Sequence, residues 1–336
     1  MHRIGILGAA GIAPRSIIAP ARRRSDAIIH AVASRRPGAA DAYAKIHGIE
    51  AAYESYEALL ADPAIDIVYN ALPPAGHAEW TEKALAHGKH VLCEKPLAMN
   101  ATEAAGMVAA AARHDRVLAE AFHDRYHPVF LHLLQLKDAG AFGAIRSLRA
   151  EFHVDIPFDP KSIRHDPGQG GGAMMDLGCY PVHWLRAFMA EEPAVISAVA
   201  EPNPLGTDQR MVAELMFPGR VTAHLVADIA SPPFRGLLRI EGESGTVELD
   251  NPCLPHRGHS LREWFGTSYR EHTMAGGTTY DYQLEAFIAA VDQGTPLPTG
   301  GADSIGNMST VDAVYDKAIA AGTLASRPAR GVATQP

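Results

Sequence analysis

Two short stretches of the chain carry residue types that can move protons. In Val91-Leu92-Cys93-Glu94-Lys95-Pro96 an apolar run ends in a charged pair. The ring of Pro96 pushes Lys95 toward extended backbone and prevents a helix from starting there, so the ammonium is aimed instead of trailing along the chain. A solvated Glu94–Lys95 pair at a strand end is the commoner fate of such residues, and only the surroundings can decide. The second stretch follows the glycine run Gly170-Gly171-Gly172. If 173–188 is largely helical, Asp176, Tyr180 and His183 stand at i, i+4 and i+7 and share one stripe. Pro181 removes a helix hydrogen bond and kinks the segment unless it stands near the first turn. The plainer alternative makes Asp176 a helix cap and Tyr180 and His183 core residues with satisfied polar tips. For Asp176 and Tyr180 together, downstream of glycines that permit close approach, function is the favoured reading.

The elements that must position Lys95 begin at the N-terminus. A strand-like Ile4–Leu7 runs into Gly8-Ala9-Ala10-Gly11-Ile12-Ala13 and then a helix-like stretch. In such a turn, glycines let backbone approach a pyrophosphate and the helix start supplies free N–H groups. The spacing departs from strict G-x-G-x-x-G, with Ala10 where a second close-approach glycine might stand. The next strand, 27–33, ends in Ser34-Arg35-Arg36 instead of an acidic residue. A hydroxyl and guanidiniums suit a ribose 2′-phosphate that a carboxylate would repel, so NADP is favoured over NAD. Further strand–helix alternation brings 66–72, which stops at Leu72-Pro73-Pro74-Ala75-Gly76-His77, then 89–93 and 117–122. This rhythm predicts a parallel, doubly wound sheet. Ligands sit at the carboxyl ends of such strands, so Gly8, Ser34, Pro73, His77 and Lys95 should face one crevice.

After Phe122 long strand-like runs (145–155, 211–217, 220–228) follow one another with turns between them. That pattern predicts a second, α+β domain on a mostly antiparallel sheet, over 123–330, after a dinucleotide-binding domain over 1–122. A length of 336 residues with 47% hydrophobic content suffices for two cores. The net charge of −8 offers no attraction to nucleic acid or anionic lipid. Three cysteines without metal-like pairing argue against a disulfide framework or a zinc site, and no pair of histidines has ligand spacing with a carboxylate. No leader-like or membrane-spanning run is present, so the expectation is a reduced, cytoplasmic protein without a metal.

Gly8-Ala9-Ala10-Gly11-Ile12-Ala13, Glu94-Lys95-Pro96, Gly171-Gly172-Ala173 with Asp176 and Tyr180, and the late Tyr282-Gln283-Leu284-Glu285-Ala286-Phe287 resemble, in order, landmarks of the glucose–fructose oxidoreductase, inositol dehydrogenase and rhizopine-catabolism (Gfo/Idh/MocA) family. Ala33-Ser34-Arg35, Cys93 to Pro96 and Asp176 to Tyr180 look closest to its group of NADP-dependent D-xylose dehydrogenases and dimeric dihydrodiol dehydrogenases. The resemblance implies a Rossmann domain and an α/β domain whose open sheet forms a homodimer or higher homo-oligomer. It makes Lys95 the catalytic lysine, Tyr180 the acid/base and Asp176 an acidic substrate-site residue. It puts His77 near the nicotinamide, with Gly8, Ala10, Gly11, Ile12, Ser34, Arg35, Leu72, Pro73, Glu94 and Lys95 itself in the cofactor site. A tyrosine near its reference pKa of ~10 is a poor base at neutral pH, and a nearby ammonium favours the phenolate. Arg164 resembles a substrate-pocket arginine, with a surface salt bridge as the alternative. His123 and Asp124 replace an apolar or aromatic pair and would make the pocket more polar, with His183 close by. The activity implied is oxidation at C1 of an aldopyranose to a lactone. Oxidation of a trans-dihydrodiol or cyclic polyol is the alternative, and a dinucleotide sensor without turnover is the reading from another class.

Overall fold

The structure, a computed structural model, describes residues 1–329. It divides into two compact units, one of Met1–Phe122 with Tyr280–Ile305 and the other of His123–Thr279 with the residues from Gly306 on. The first unit alternates β1 (His2–Leu7), α1 (Ala19–Arg22), β2 (Ala27–Ala33), α2 (Ala39–His47), β3 (Ala51–Tyr53), α3 (Tyr56–Ala61), β4 (Ile67–Asn70), α4 (Pro74–Ala86), β5 (His90–Cys93), α5 (Ala101–His114) and β6 (Leu118–Glu120). Its strands lie in the order β3-β2-β1-β4-β5-β6, all parallel. This is the doubly wound sheet expected, and its strands read as nearly unbroken apolar runs because they are buried on both faces. Register sets Leu7, Ala33, Asn70, Cys93 and Glu120 in one row. Gly8, Ser34 and Glu94 therefore leave the sheet at its carboxyl edge, around the point where chain order reverses beside β1.

Residues 280–305, expected in the second domain, belong instead to the first unit. The helix Thr279–Gln293 puts Leu284, Phe287 and Ile288 into the same core as Ile4, Ile6, Ile17, Ile18 and Tyr69. The apolar stripe of that helix was legible, but a stripe does not say which core it completes. The other end of the expected domain, residue 330, lies outside the described residues.

The second unit holds α6 (Pro128–Asp138), β7 (Ile145–His153), α7 (Cys179–Met189), β8 (Ala194–Pro202), β9 (Asp208–Phe217), β10 (Val221–Asp228), β11 (Arg235–Gly242), β12 (Gly245–Asp250), β13 (Ser260–Phe265) and β14 (Ser268–His272), and the last helix, Ala302–Ala320, spans the second boundary. The sheet order is β14-β13-β12-β11-β7-β10-β9-β8, antiparallel throughout except for the β7–β10 pair. Leu148, Ala150 and Phe152 of β7 are buried and α7 packs on that strand. Alternate residues point the other way. Ser197, Glu214, His224, Arg149, Arg239, Glu248, Arg262 and Glu271 form one row across all eight strands. Among the described residues, no helix is long and apolar enough to cross a membrane.

Candidate active site

The carboxyl edge of the first sheet is shaped by backbone. Gly8 takes φ of 93°, a region side chains rarely adopt, and its N–H donates to Ala33 O at 2.9 Å. Ala10 N–H turns back to Gly8 O, and among the described residues nothing stands within 4 Å of where a Cβ on Gly11 would lie. The chain then enters a π-type turn over Pro14–Ile18 after Ile12 and Ala13, and α1 continues it. Ser34 is buried, accepts a hydrogen bond from Arg36 N–H at 3.3 Å, and is followed by an exposed Arg35 whose guanidinium lies 5.1 Å from the Tyr56 ring centroid. An open glycine turn beside a hydroxyl and a guanidinium fits the pyrophosphate and 2′-phosphate of a dinucleotide.

Lys95 and Glu94 follow β5, and the Lys95–Pro96 peptide is cis. Both side chains are half-buried. The Glu94 carboxylate accepts a hydrogen bond from the Tyr69 hydroxyl, which also meets Ser16 Oγ at 2.7 Å. Burial pushes the Glu94 carboxyl up, while the Tyr69 bond and the Lys95 charge pull it back. His77 is wholly buried in α4, with Nε2 2.7 Å from Leu72 O and Nδ1 2.9 Å from Pro96 O. Burial lowers its pKa to about 4, against the pull of those carbonyls. Its ring is thus a strut between the Leu72-Pro73 loop and the Lys95-Pro96 loop.

In the second unit the glycine run has a job. A Cβ on Gly171 would stand 2.8 Å from Arg164 backbone atoms. Gly172 has φ of 117° and faces Asp208 Oδ1, 2.3 Å from where its Cβ would stand. Met174–Gly178 then form a π-type turn that runs into α7, leaving Pro181 in the first turn of that helix. The wide turn accommodates a proline that lacks an N–H. Asp176 accepts from Arg164 Nε at 2.9 Å, an exposed arginine on a half-buried carboxylate. Tyr180 is buried, and its hydroxyl lies 3.2 Å from His123 Nε2. The ring packs at 5.6–6.1 Å against Phe152, His123 and Trp184. Asp124 accepts from Trp184 Nε1 at 2.6 Å, and burial raises its pKa to about 7. His183 is also wholly buried, and burial together with the charges of Arg125 and Arg186 holds its pKa well below the usual imidazole range. Along this stretch Tyr180 meets His123, Asp176 meets Arg164, and His183 lies in the interior.

One residue was missed. Asp208 is fully buried, accepting from Met174 N–H at 2.6 Å and from the Tyr315 hydroxyl at 2.9 Å, and burial raises its pKa to about 7. It holds the start of the turn that presents Asp176 and Tyr180. An aspartate at the head of a strand gives no local signal of a partner 34 residues away.

Residues 2–122 match the model of an oxidoreductase family with an NAD-binding Rossmann fold, and residues 130–248 that of the GFO/IDH/MocA C-terminal domain. D-xylose 1-dehydrogenase (NADP(+)) 2 of Haloferax volcanii is 36% identical over 317 residues, 94% of this chain and 96% of the relative. Trans-1,2-dihydrobenzene-1,2-diol dehydrogenase of Oryctolagus cuniculus is 36% identical over 231 residues, 68% of this chain and 69% of the relative. The crystal structure of KijD10, a 3-ketoreductase from Actinomadura kijaniata in complex with NADP and TDP-benzene, matches with a TM-score of 0.86 at 28% identity, covering 94% of this chain and 97% of that one. These relatives act on three kinds of substrate, so the likeness singles out no subgroup as closest. It does show an oxidoreductase of the dehydrogenase type acting on sugar-like or diol substrates. With a glycine turn at the carboxyl edge of a parallel sheet in one unit and a buried tyrosine and a half-buried carboxylate in the other, the chain belongs to the GFO/IDH/MocA oxidoreductase family.

Proposed function

We propose that this chain is an NADP-dependent dehydrogenase that oxidises the C1 hydroxyl of an aldopyranose, giving the lactone. The observation that carries the proton chemistry is the buried contact of the Tyr180 hydroxyl with His123 Nε2. A phenol in contact with an imidazole can release and regain a proton away from bulk water. Aldopyranose as substrate is supported by the 36% identity to a D-xylose 1-dehydrogenase. NADP is supported by that relative's name, by the KijD10 complex and by Ser34 and Arg35 at the end of β2.

In this reading Gly8, Ala10, Gly11 and Ile12 cradle the pyrophosphate and Ser34 and Arg35 hold the 2′-phosphate. Leu72, Pro73 and Glu94 line the cofactor cleft, and His77 fixes two of its loops. The bound nicotinamide supplies the hydride acceptor. Tyr180 takes the hydroxyl proton, and Lys95 is assigned the charge that favours its phenolate. Asp176, oriented by Arg164, accepts a hydrogen bond from a second sugar hydroxyl. His123 and Asp124 form the polar wall of the pocket, with His183 behind them. A second reading, reduction of a ketone on a nucleotide-linked sugar, is supported by the likeness to the 3-ketoreductase KijD10 and by 38% identity, over 76% of this chain, to a dTDP-3,4-didehydro-2,6-dideoxy-α-D-glucose 3-reductase of Streptomyces violaceoruber.

Steady-state oxidation of a sugar panel tests the assignment. Lys95→Met and Tyr180→Phe should each lower kcat by about 10²-fold or more, with cofactor affinity retained in Tyr180→Phe. Wild-type-like turnover in both variants would sink it, and turnover confined to keto-sugar nucleotides would select the second reading. Arg35→Ala should raise the KM for NADP by about ten-fold and leave that for NAD unchanged. A wild-type preference for NAD, or equal use of both, would remove the role given to Ser34 and Arg35.

A further inference from the structure

The histidines of this chain gave no ligand spacing in the sequence, yet the fold of the second unit gathers two of them around a carboxylate. His132 on α6 places Nε2 2.7 Å from Glu263 Oε1 on β13, and His272 at the end of β14 places Nε2 3.1 Å from the same oxygen. The imidazole rings stand edge to face with centroids 6.0 Å apart. All three ligand atoms lie within 4.8 Å of one another, and among the described residues this is the group of three or more His, Cys, Asp or Glu side chains that converges in this way. His132 and Glu263 are 131 residues apart, so only the packing of α6 over the sheet brings them together.

We propose that His132, Glu263 and His272 form a binding site for a divalent transition-metal ion, zinc above all, separate from the residues assigned to catalysis. The donor set decides the class of ion. Two imidazole nitrogens and one carboxylate suit Zn²⁺, whereas Mg²⁺ and Ca²⁺ prefer oxygen ligands throughout. Metal–ligand bonds of about 2.0–2.2 Å in tetrahedral geometry set ligand atoms about 3.3 Å apart, so the imidazoles would move from the shared oxygen by about half an ångström or less while their nitrogens, now within 4.8 Å of each other, close to that spacing. Glu263 is nearly buried at 9% side-chain exposure while His132 and His272 are 22% and 17% exposed, which leaves an approach for the ion and room for water as a fourth ligand. The register of β13 and β14 supports the assignment. His272 lies opposite Leu261, two residues before Glu263, so both ligands rise on the face of the sheet that α6 covers. An ion held there would pin α6 to the edge pair of the sheet.

The test uses the full chain without any histidine tag, freed of metal by a chelator and titrated with Co²⁺ in the visible, then with Zn²⁺ in competition. One equivalent should bind with the absorption of a low-coordinate cobalt site, and Zn²⁺ should displace it. His132→Gln and His272→Gln should each weaken binding by about ten-fold or more, while His224→Gln, on the other face of the sheet, should leave it unchanged. Zn²⁺ should raise the melting temperature of the wild type and not that of His272→Gln. Wild-type affinity weaker than about 100 μM, or an equivalent retained in both ligand variants, would overturn the proposal. Variants that melt lower than wild type by the same margin with and without Zn²⁺ would also overturn it, identifying the cluster as a hydrogen-bonded staple.

Discussion

Two buried carboxyls, Asp124 and Asp208, share an electrostatic signature with a consequence for stability. Each is wholly buried, each is raised by burial to about 7, and neither has a cation as a direct hydrogen-bond partner among those described: Asp124 meets the Trp184 indole, and Asp208 the Tyr315 hydroxyl and a backbone N–H. In the unfolded chain an aspartate ionises near 3.8. Between about pH 4 and 7 the folded protein therefore binds protons that the unfolded chain has lost, so stability falls as pH rises through that window. Summed over a shift of this size the effect is on the order of a few kcal/mol per group above pH 7. Asp124→Asn keeps an acceptor for Trp184 and has nothing to ionise. Denaturant unfolding at pH 5 and pH 8 should show the wild type losing stability with rising pH, and Asp124→Asn losing less of it. An equal loss in both proteins would mean that the carboxyl is ionised in the folded state without cost.

At the scale of elements, the glycine run and the π-type turn after it decide where Tyr180 points. Gly172 combines φ of 117° with a Cβ position only 2.3 Å from Asp208 Oδ1, so any side chain both strains the backbone and displaces the carboxylate that anchors Met174. Gly172→Ala should cost about 2–4 kcal/mol in urea unfolding. It should also lower kcat more than it alters cofactor binding, because the distortion falls on the segment bearing Asp176 and Tyr180. A variant as stable and active as the wild type would show that the turn is not held as described. The sequence made part of this legible. The glycines marked a close approach, and Pro181 near a first turn marked a helix start. The 3.6-residue phase behind a single face for Asp176, Tyr180 and His183 holds for Tyr180 and His183, both in α7, whereas Asp176 lies in the π-type turn before it, where that phase changes. In the first unit, by contrast, strand, glycine turn and helix succeed one another locally, and the parallel sheet with its carboxyl-edge residues follows from that order. What stayed hidden were pairings across long separations: His123 with Tyr180, Asp208 with Met174, and the late helix with the first core. His123 and Asp124 stood out by type, but their partners could only come from packing.

At the scale of the whole molecule, the open face of the eight-stranded sheet carries the argument for self-association. Its central row alternates charge toward one edge, with Arg239 bonded to Glu248 at 3.0 Å, Arg262 to Glu248, and Arg262 to Glu271 at 3.2 Å. At the two edges Val199 and Tyr269 are more than half exposed, and the registers put Val212, Met216 and Trp264 on the same face, so apolar side chains stand among its charges. A two-fold axis brings a patch onto its own copy, and a row that already contains both signs is complementary to itself. The expected assembly is accordingly a homodimer through this sheet, with electrostatic complementarity setting register and a polar interface that weakens as salt screens it. Sedimentation of the wild type should show a dimer whose dissociation increases with ionic strength. Arg262→Glu would set a new carboxylate among Glu248, Asp250 and Glu271, replacing the cation that now pairs with all three. That variant should shift to monomer at low salt while retaining a cooperative thermal transition. A dimer of unchanged strength in Arg262→Glu would place the interface elsewhere, and a wild-type monomer at every salt concentration would leave the charged row as a solvated face.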